Sequence, residues 1–252
     1  MEWLAVLAMG WILGVIGGGG GILTVPILVG LFGMTATAAS GSSLFVVGIA
    51  SSVGAAQGLI RKESEWRTAL ALAIPSMIGA LSARLWLVPS IPSTLLGFPR
   101  DEWFLVIFAV LMVIIGIRML RPTMPDQREN THPLKVAGLG LAIGLISGVL
   151  GAGGGFLILP VLVALLKVPI TRAVPTSLLV ISLQSLVGFA GELSRPVDWR
   201  LLGSIAGVAI LGLVIGLAVR KFVPKQGLTV GFAVLVFLVA GWMVAKVFMN
   251  HF

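Results

Sequence analysis

Cysteine is absent from the 252 residues, and charged residues make up only 10%. The first absence excludes disulfides, thiol catalysis and thiolate metal sites. The second excludes an ordinary soluble domain, which carries about 25% charged residues. A chain that is 58% hydrophobic could not cover itself with polar surface in water. Two histidines, His132 in a polar stretch and His251 near the end, make no cluster. No carboxylate pair and no nucleophile with a base is apparent, so catalysis has little support. No Gly-Lys-Ser/Thr follows a glycine run, and the G-x-G-x-x-G spacing is missing. Long alternating strands are lacking too, which argues against a barrel.

What is present is a series of apolar runs near 20 residues, each long enough to cross a hydrocarbon core of about 30 Å. The expectation is an all-α, multi-pass protein of the cell (inner) membrane. The net charge of +8 is spread over short loops, as expected for a chain oriented in an anionic lipid bilayer. No basic stripe exists, so nucleic acid is not an expected partner. Glu2 and Trp3 follow Met1, without the basic start or the A-x-A site of a signal peptide. The N-terminus is therefore expected to stay in the mature protein.

Glycine is concentrated where helices tolerate it least. Gly17, Gly18, Gly19, Gly20 and Gly21 are consecutive inside an apolar segment, and Pro26 follows. Each glycine costs a helix roughly 1 kcal/mol against alanine, and proline about 3. The device recurs at Gly151, Gly153, Gly154, Gly155 and Pro160. Aligning Pro26 with Pro160 also sets Gly14 on Gly148, Thr37 on Thr171, Ser43 on Ser177 and Leu44 on Leu178. After a one-residue slip, Glu65–Arg67 falls on Asp198–Arg200 and Gly79 on Gly212. The chain thus divides into a first repeat (1–120), a polar linker (121–133) and a second repeat (134–252). Each repeat reads as a glycine-broken segment (2–32; 134–166) and three long helices. These are 37–60, 66–88 and 103–120 in the first, and 171–193, 199–220 and 226–249 in the second.

If the broken segment crosses the membrane, the chain spans eight times and the repeats are parallel. If it is re-entrant, each repeat crosses three times and the repeats are inverted. Eight crossings would split the lysines and arginines ten against seven. Returning hairpins would split them twelve against five, with the loops near 61, 125, 168 and 222 on the richer face. Positive loops gather on one side, which favours inverted repeats with the N-terminus outside.

Broken helices at membrane depth are tolerated only inside protein or beside a watery cavity. Their free N–H groups and dipoles make anion sites, and glycines let amides form a nest. Broken helices at matching places in two repeats point to a transporter's binding site. The alternative is close packing of small residues, which accounts well for Gly10, Gly14, Gly203 and Gly207 but poorly for five consecutive glycines. A non-transporting membrane scaffold or subunit is the functional counterpart of that alternative.

The pair GGGGGILTVPIL and GAGGGFLILPVL, followed by TATAASGSSL or TRAVPTSL and then by EWR or DWR, resembles the TauE/SafE sulfite exporter family. That family is also known as the toluene-sulfonate uptake permease family. The resemblance spans essentially the whole chain and implies transport of small sulfur-containing anions such as sulfite and organosulfonates. The first copy departs from the second at Gly18, opposite Ala152, and at Gly41, opposite Pro175.

Helical rotation adds polar candidates. Ser40, Ser43, Gly54 and Gln57 share a stripe, and Ser177, Gln184, Gly188 and Gly191 share the matching one. Hydroxyls and amides there could hydrogen-bond an oxyanion, or the serines could bond back to their own helix. Arg84, whose aligned residue is Leu217, is expected to snorkel to the interface. Lys167 and Arg172 could draw anions to one mouth, and Glu192 is a weak candidate for proton coupling. No cofactor or metal is expected. A small anionic substrate and the lipid bilayer are the expected partners, a homodimer is one admissible assembly, and the coupling ion is left open.

Overall fold

The computed structural model describes residues 1–92, 94–95, 98–99, 102–103, 106–107, 109–110, 113–114, 117, 133–150, 155–194, 197–222, 224, 230–231, 234 and 237–245. The described residues are helical apart from loops and a two-residue antiparallel ribbon, Thr94–Leu95 against Phe98–Pro99. Helices are α1 (Glu2–Ile16), α2 (Gly19–Gly30), α3 (Ala36–Ile60) and α4 (Trp66–Ser82), which runs on through a π turn at Ala83–Leu87. The second series is α5 (Pro133–Leu150), α6 (Gly155–Pro160) with a π turn at Val161–Leu165, α7 (Ile170–Ala190) and α8 (Trp199–Val219). Four stretches, Ala36–Ile60, Trp66–Ser90, Ile170–Ala190 and Trp199–Val219, are long and apolar enough to cross a membrane. The linker at 121–132, including His132, and the terminal His251 lie outside the described residues.

The glycine-broken segment folds back on itself. Gly17 ends α1 in the left-handed region, φ 80°, and α2 begins two residues later. Thr24 on α2 then hydrogen-bonds the Met9 sulfur at 3.0 Å, and the rings of Trp3 and Phe32 meet edge-on at 5.8 Å. These pairs straddle the turn evenly, so α1 and α2 are antiparallel arms. At 1.5 Å per residue, α1 is about 22 Å long and α2 about 18 Å, each short of a 30 Å core. The same turn leaves both broken segments. Met34 N–H bonds the Leu28 carbonyl at 3.1 Å and Val168 N–H the Leu162 carbonyl at 2.8 Å. Gly33 and its aligned residue Lys167 both have positive φ, 66° and 51°.

Glycines decide how the long helices pack. A methyl group at Gly10 or Gly14 of α1 would overlap the Ala209 or Leu213 carbonyl of α8, and one at Gly212 or Gly216 would overlap Leu7 or Trp11. Likewise Gly144 and Gly148 of α5 lie against Ser76 and Ala80 of α4, and Gly79 against Leu141. Small residues let membrane helices approach to backbone contact, where van der Waals packing is strongest. Each pair is parallel, because residue numbers rise together along both helices. Packing therefore accounts for Gly10 and Gly14 as expected. It does not account for Gly203 and Gly207, which have nothing within 4 Å among the described residues.

Helices α3 and α7 form the centre and run antiparallel. Gly41 faces Glu192, Gly48 faces Leu186, Gly54 faces Leu178 and Gly58 faces Pro175. Ser52 and Ser182 hydrogen-bond across this pair at 3.0 Å. The Phe45 ring meets Phe189 at a tilt and Trp199 edge-on, and Gly54 also approaches Leu213. The last contacts make α3 parallel to α8.

Candidate functional site

The ends of α3, α7 and α8 converge on a cavity of about 490 Å³. Gln57 and Gly58 come from the last turns of α3, and Arg61, Lys62 and Glu63 from the loop after it. Ile170, Thr171, Arg172, Pro175 and Leu178 come from α7, and Leu217 and Arg220 from the end of α8. Among the described residues the lining therefore carries four cations and one carboxylate. Arg220 is fixed by donating Nη2–H to the Thr171 carbonyl at 2.8 Å. Burial lowers its pKa, and nearby Glu63 opposes that shift; an arginine stays charged regardless. Arg172 is held less closely. Its side chain is 59% exposed and 3.7 Å from Glu65, a distance at which an exposed pair contributes little.

The first hairpin tip lies behind one wall of this cavity. Ser177, fully buried, donates to the Gly17 carbonyl at 2.7 Å and also reaches the Val174 carbonyl at 2.8 Å. A methyl group at Gly17 would run into Val174. Pro175 and Leu178 line the cavity, while Val174 and Ser177 hold the tip. Ser177 is seven residues beyond Ile170, about 10 Å along the helix. The tip thus sits just short of the middle of α7, in the half that leads to the cationic end.

Gly18 precedes α2 with an extended φ of −163°, and Gly19 to Gly21 form the first turn of α2. Pro26 is inside α2. Proline there leaves the carbonyl one turn earlier without its helical partner. Gly155 opens α6, and Pro160 closes it before the π turn. Gly151, Gly153 and Gly154 lie outside the described residues. Gln184 is buried and donates to Ser147 at 3.2 Å. Ser43, also buried, donates to the Ser40 carbonyl at 3.1 Å, and Ser40 to the Thr37 carbonyl at 2.8 Å. Both serines thus bond back to their own helix.

Not all of the candidates share one place. Because α3 and α7 are antiparallel, Ser177 is level with the Gly54 region of α3, and Ser43 is nearly at the other end. The separation along α3 is about 15–18 Å, too far for one small anion to touch both hydroxyls. Gln57 joins the cationic cavity instead. Arg61, Lys62 and Arg220 were not among the residues singled out from sequence. Their only signal was position at helix ends, and the convergence of those ends is a tertiary fact. Arg84 corrects the expectation of snorkelling. It is 1% exposed, inside the protein, and paired with Glu192.

The family model described as "Sulfite exporter TauE/SafE" matches residues 3–243. A "Probable membrane transporter protein" of Xylella fastidiosa is 28% identical over 246 residues, covering 94% of this chain and 91% of the relative. A protein of the same description from Methanocaldococcus jannaschii is 28% identical over 206 residues, with 77% and 73% covered. A third, from Bacillus subtilis, is 26% identical over 258 residues, with 88% and 89% covered. No solved structure matches the chain.

Proposed function

Because the chain belongs to the sulfite exporter TauE/SafE family, we propose that it is a secondary transporter of small sulfur-containing anions, sulfite or an organosulfonate. The observation that carries this reading is the 490 Å³ cavity with Arg61, Lys62, Arg172 and Arg220 around it. Cations around a concave, low-dielectric mouth concentrate anions. The volume suits a small oxyanion with some of its water.

The architecture is two inverted repeats, each a re-entrant hairpin and three crossings. Aligned helices α3 and α7 run antiparallel, and α1 runs parallel to α8 while α5 runs parallel to α4. With α3 parallel to α8, and α4 parallel to α7 because Gly188 meets Ala80 and Gly191 meets Arg84, every aligned pair among these helices is opposed. That is the relationship expected for a pseudo-two-fold axis in the membrane plane. It sets the loops after α3, before α5 and before α7 on one face, the lysine- and arginine-rich one, which is cytoplasmic by the positive-inside rule.

The anion leaves the cationic mouth for the hairpin tip, where amides of the first turn of α2 hold it. Gly19, Gly20 and Gly21 put no side chain between ligand and backbone, and the N-terminal dipole favours negative charge. A scaffold function draws support from the packing glycines of α1, α4, α5 and α8. Those are different residues from the consecutive run, so the scaffold leaves the run unexplained. The deciding experiment is uptake of labelled sulfite by proteoliposomes, with thiosulfate, sulfoacetate and sulfate as competitors. Competitor-sensitive uptake that Gly20→Val abolishes in a folded protein is expected. No uptake of any of these anions by well-folded protein would return the chain to the scaffold reading.

A further inference from the structure

Among the described residues, one cation lies deep in the bundle rather than at its ends. Arg84, on the π turn after α4, is the bulkiest of the fully buried side chains described. Its Nη1 donates to Glu192 Oε1 at 2.8 Å and its Nη2 to Ser40 Oγ at 3.0 Å. Taking two charges out of solvent offsets much of their attraction, so a buried ion pair is weak evidence for stability. An ionisable pair inside a membrane protein is by default functional. The π turn fits, since such turns collect at functional sites.

The repeat indicates the role. Arg84 aligns with Leu217, and Leu217 lines the cationic cavity beside Thr171 and Pro175. In the other copy, Thr171 aligns with Thr37 and Pro175 with Gly41. Gly41 lies against the Glu192 carboxylate, 3.0 Å from a would-be methyl to Cδ. Gly191 lies against Arg84 Cβ. Where one end of the α3–α7 pair has an open cavity, the equivalent place at the other end holds a guanidinium and its carboxylate.

Resting on the anion-transport reading, we propose that Arg84 is a second anion-binding group, covered in this conformation by the Glu192 carboxylate, which the transported anion displaces when this end opens. The planar guanidinium offers paired N–H donors that match two oxygens of an oxyanion. Glu192 Oε1 and Ser40 Oγ now accept from them. Sulfite or a sulfonate presents oxygens of the same kind, and Gly41 and Gly191 put no side chains in the way. The carboxylate thus acts as a stand-in for substrate and keeps the far end closed while the cationic end is open.

The absence of cysteine makes the test direct, because a Thr37→Cys thiol is the only one present. In proteoliposomes, its labelling by a membrane-impermeant maleimide reports opening of the far end, and calorimetry on purified protein measures sulfite affinity. Saturating sulfoacetate, which unlike sulfite does not add to a maleimide, should raise the labelling several-fold with Glu192 and Arg84 both intact. Glu192→Gln should raise labelling without sulfoacetate and tighten sulfite binding about tenfold, the scale of a hydrogen bond to a charged group. Arg84→Leu/Glu192→Gln, which leaves no charge stranded, should lose that gain. Sulfoacetate uptake with Thr37→Cys labelling indifferent to sulfoacetate would overturn the role of Arg84 while leaving the transport reading intact, even if Glu192→Gln failed to fold. Absence of uptake for every anion offered would sink both.

Discussion

The Ser177 hydroxyl, on α7, donates to the Gly17 carbonyl, on the hairpin of the opposite repeat, at 2.7 Å. The residues are 160 apart in sequence, and the bond fastens the hairpin tip just before α2 begins. Gly17 itself is set by its left-handed φ, which a side chain resists. Removing the hydroxyl should loosen the tip without disturbing the long helices. Ser177→Ala is expected to cost about 1–3 kcal/mol, the range for an unsatisfied buried acceptor, and to weaken sulfite binding alongside. A thermal melt paired with calorimetry checks this. Unchanged melting and binding would mean that the tip is held by Val174 alone.

Packing glycines and open glycines should respond oppositely. Gly144→Val would drive a branched side chain into the Ser76 backbone, and backbone cannot rotate away. A loss of at least about 1–3 kcal/mol is expected from overpacking, seen as poor yield or aggregation in size-exclusion chromatography. Gly203→Ala, with nothing within 4 Å among the described residues, should melt at or above the wild-type temperature, since alanine is the better helix former. Equal damage at both sites would contradict this account of the helix contacts.

Arg172 should act through its field. It is largely exposed, so its charge attracts anions to the mouth over a Debye length of about 8–10 Å. Arg172→Gln is expected to raise KM for sulfite several-fold at low salt, with the melting temperature unchanged. The difference should shrink as salt is added. A salt-independent defect would instead mean direct contact with the bound anion.

Orientation is checkable with single thiols in the cysteine-free background. Cysteines at Ser64 and Val168 should label from one face of the membrane and a cysteine at Pro92 from the other. Labelling of positions 64 and 168 from opposite faces would require the hairpin segments to cross, and would overturn the inverted arrangement.

Much was legible in local chemistry. Apolar runs near 20 residues set the spans, because the bilayer penalises unpaired backbone and charge wherever it is crossed. Helices expected at 37–60, 171–193 and 199–220 appear as Ala36–Ile60, Ile170–Ala190 and Trp199–Val219. The glycine run did break its helix, with Gly17 ending α1 at a positive φ that glycine adopts without strain. Tertiary structure decided what periodicity cannot carry. Gly10 and Gly203 look alike in sequence, and only the approach of α8 makes the first indispensable. Ser43 and Ser177 occupy aligned positions, and only the antiparallel run of α3 and α7 sends them to opposite ends. Arg84 near a helix end reads as a snorkelling residue until Glu192, 108 residues away, is brought to 2.8 Å. A sequence spells out what each segment prefers in lipid; which distant group neutralises a charge or seals a glycine depends on where the other segments come to rest.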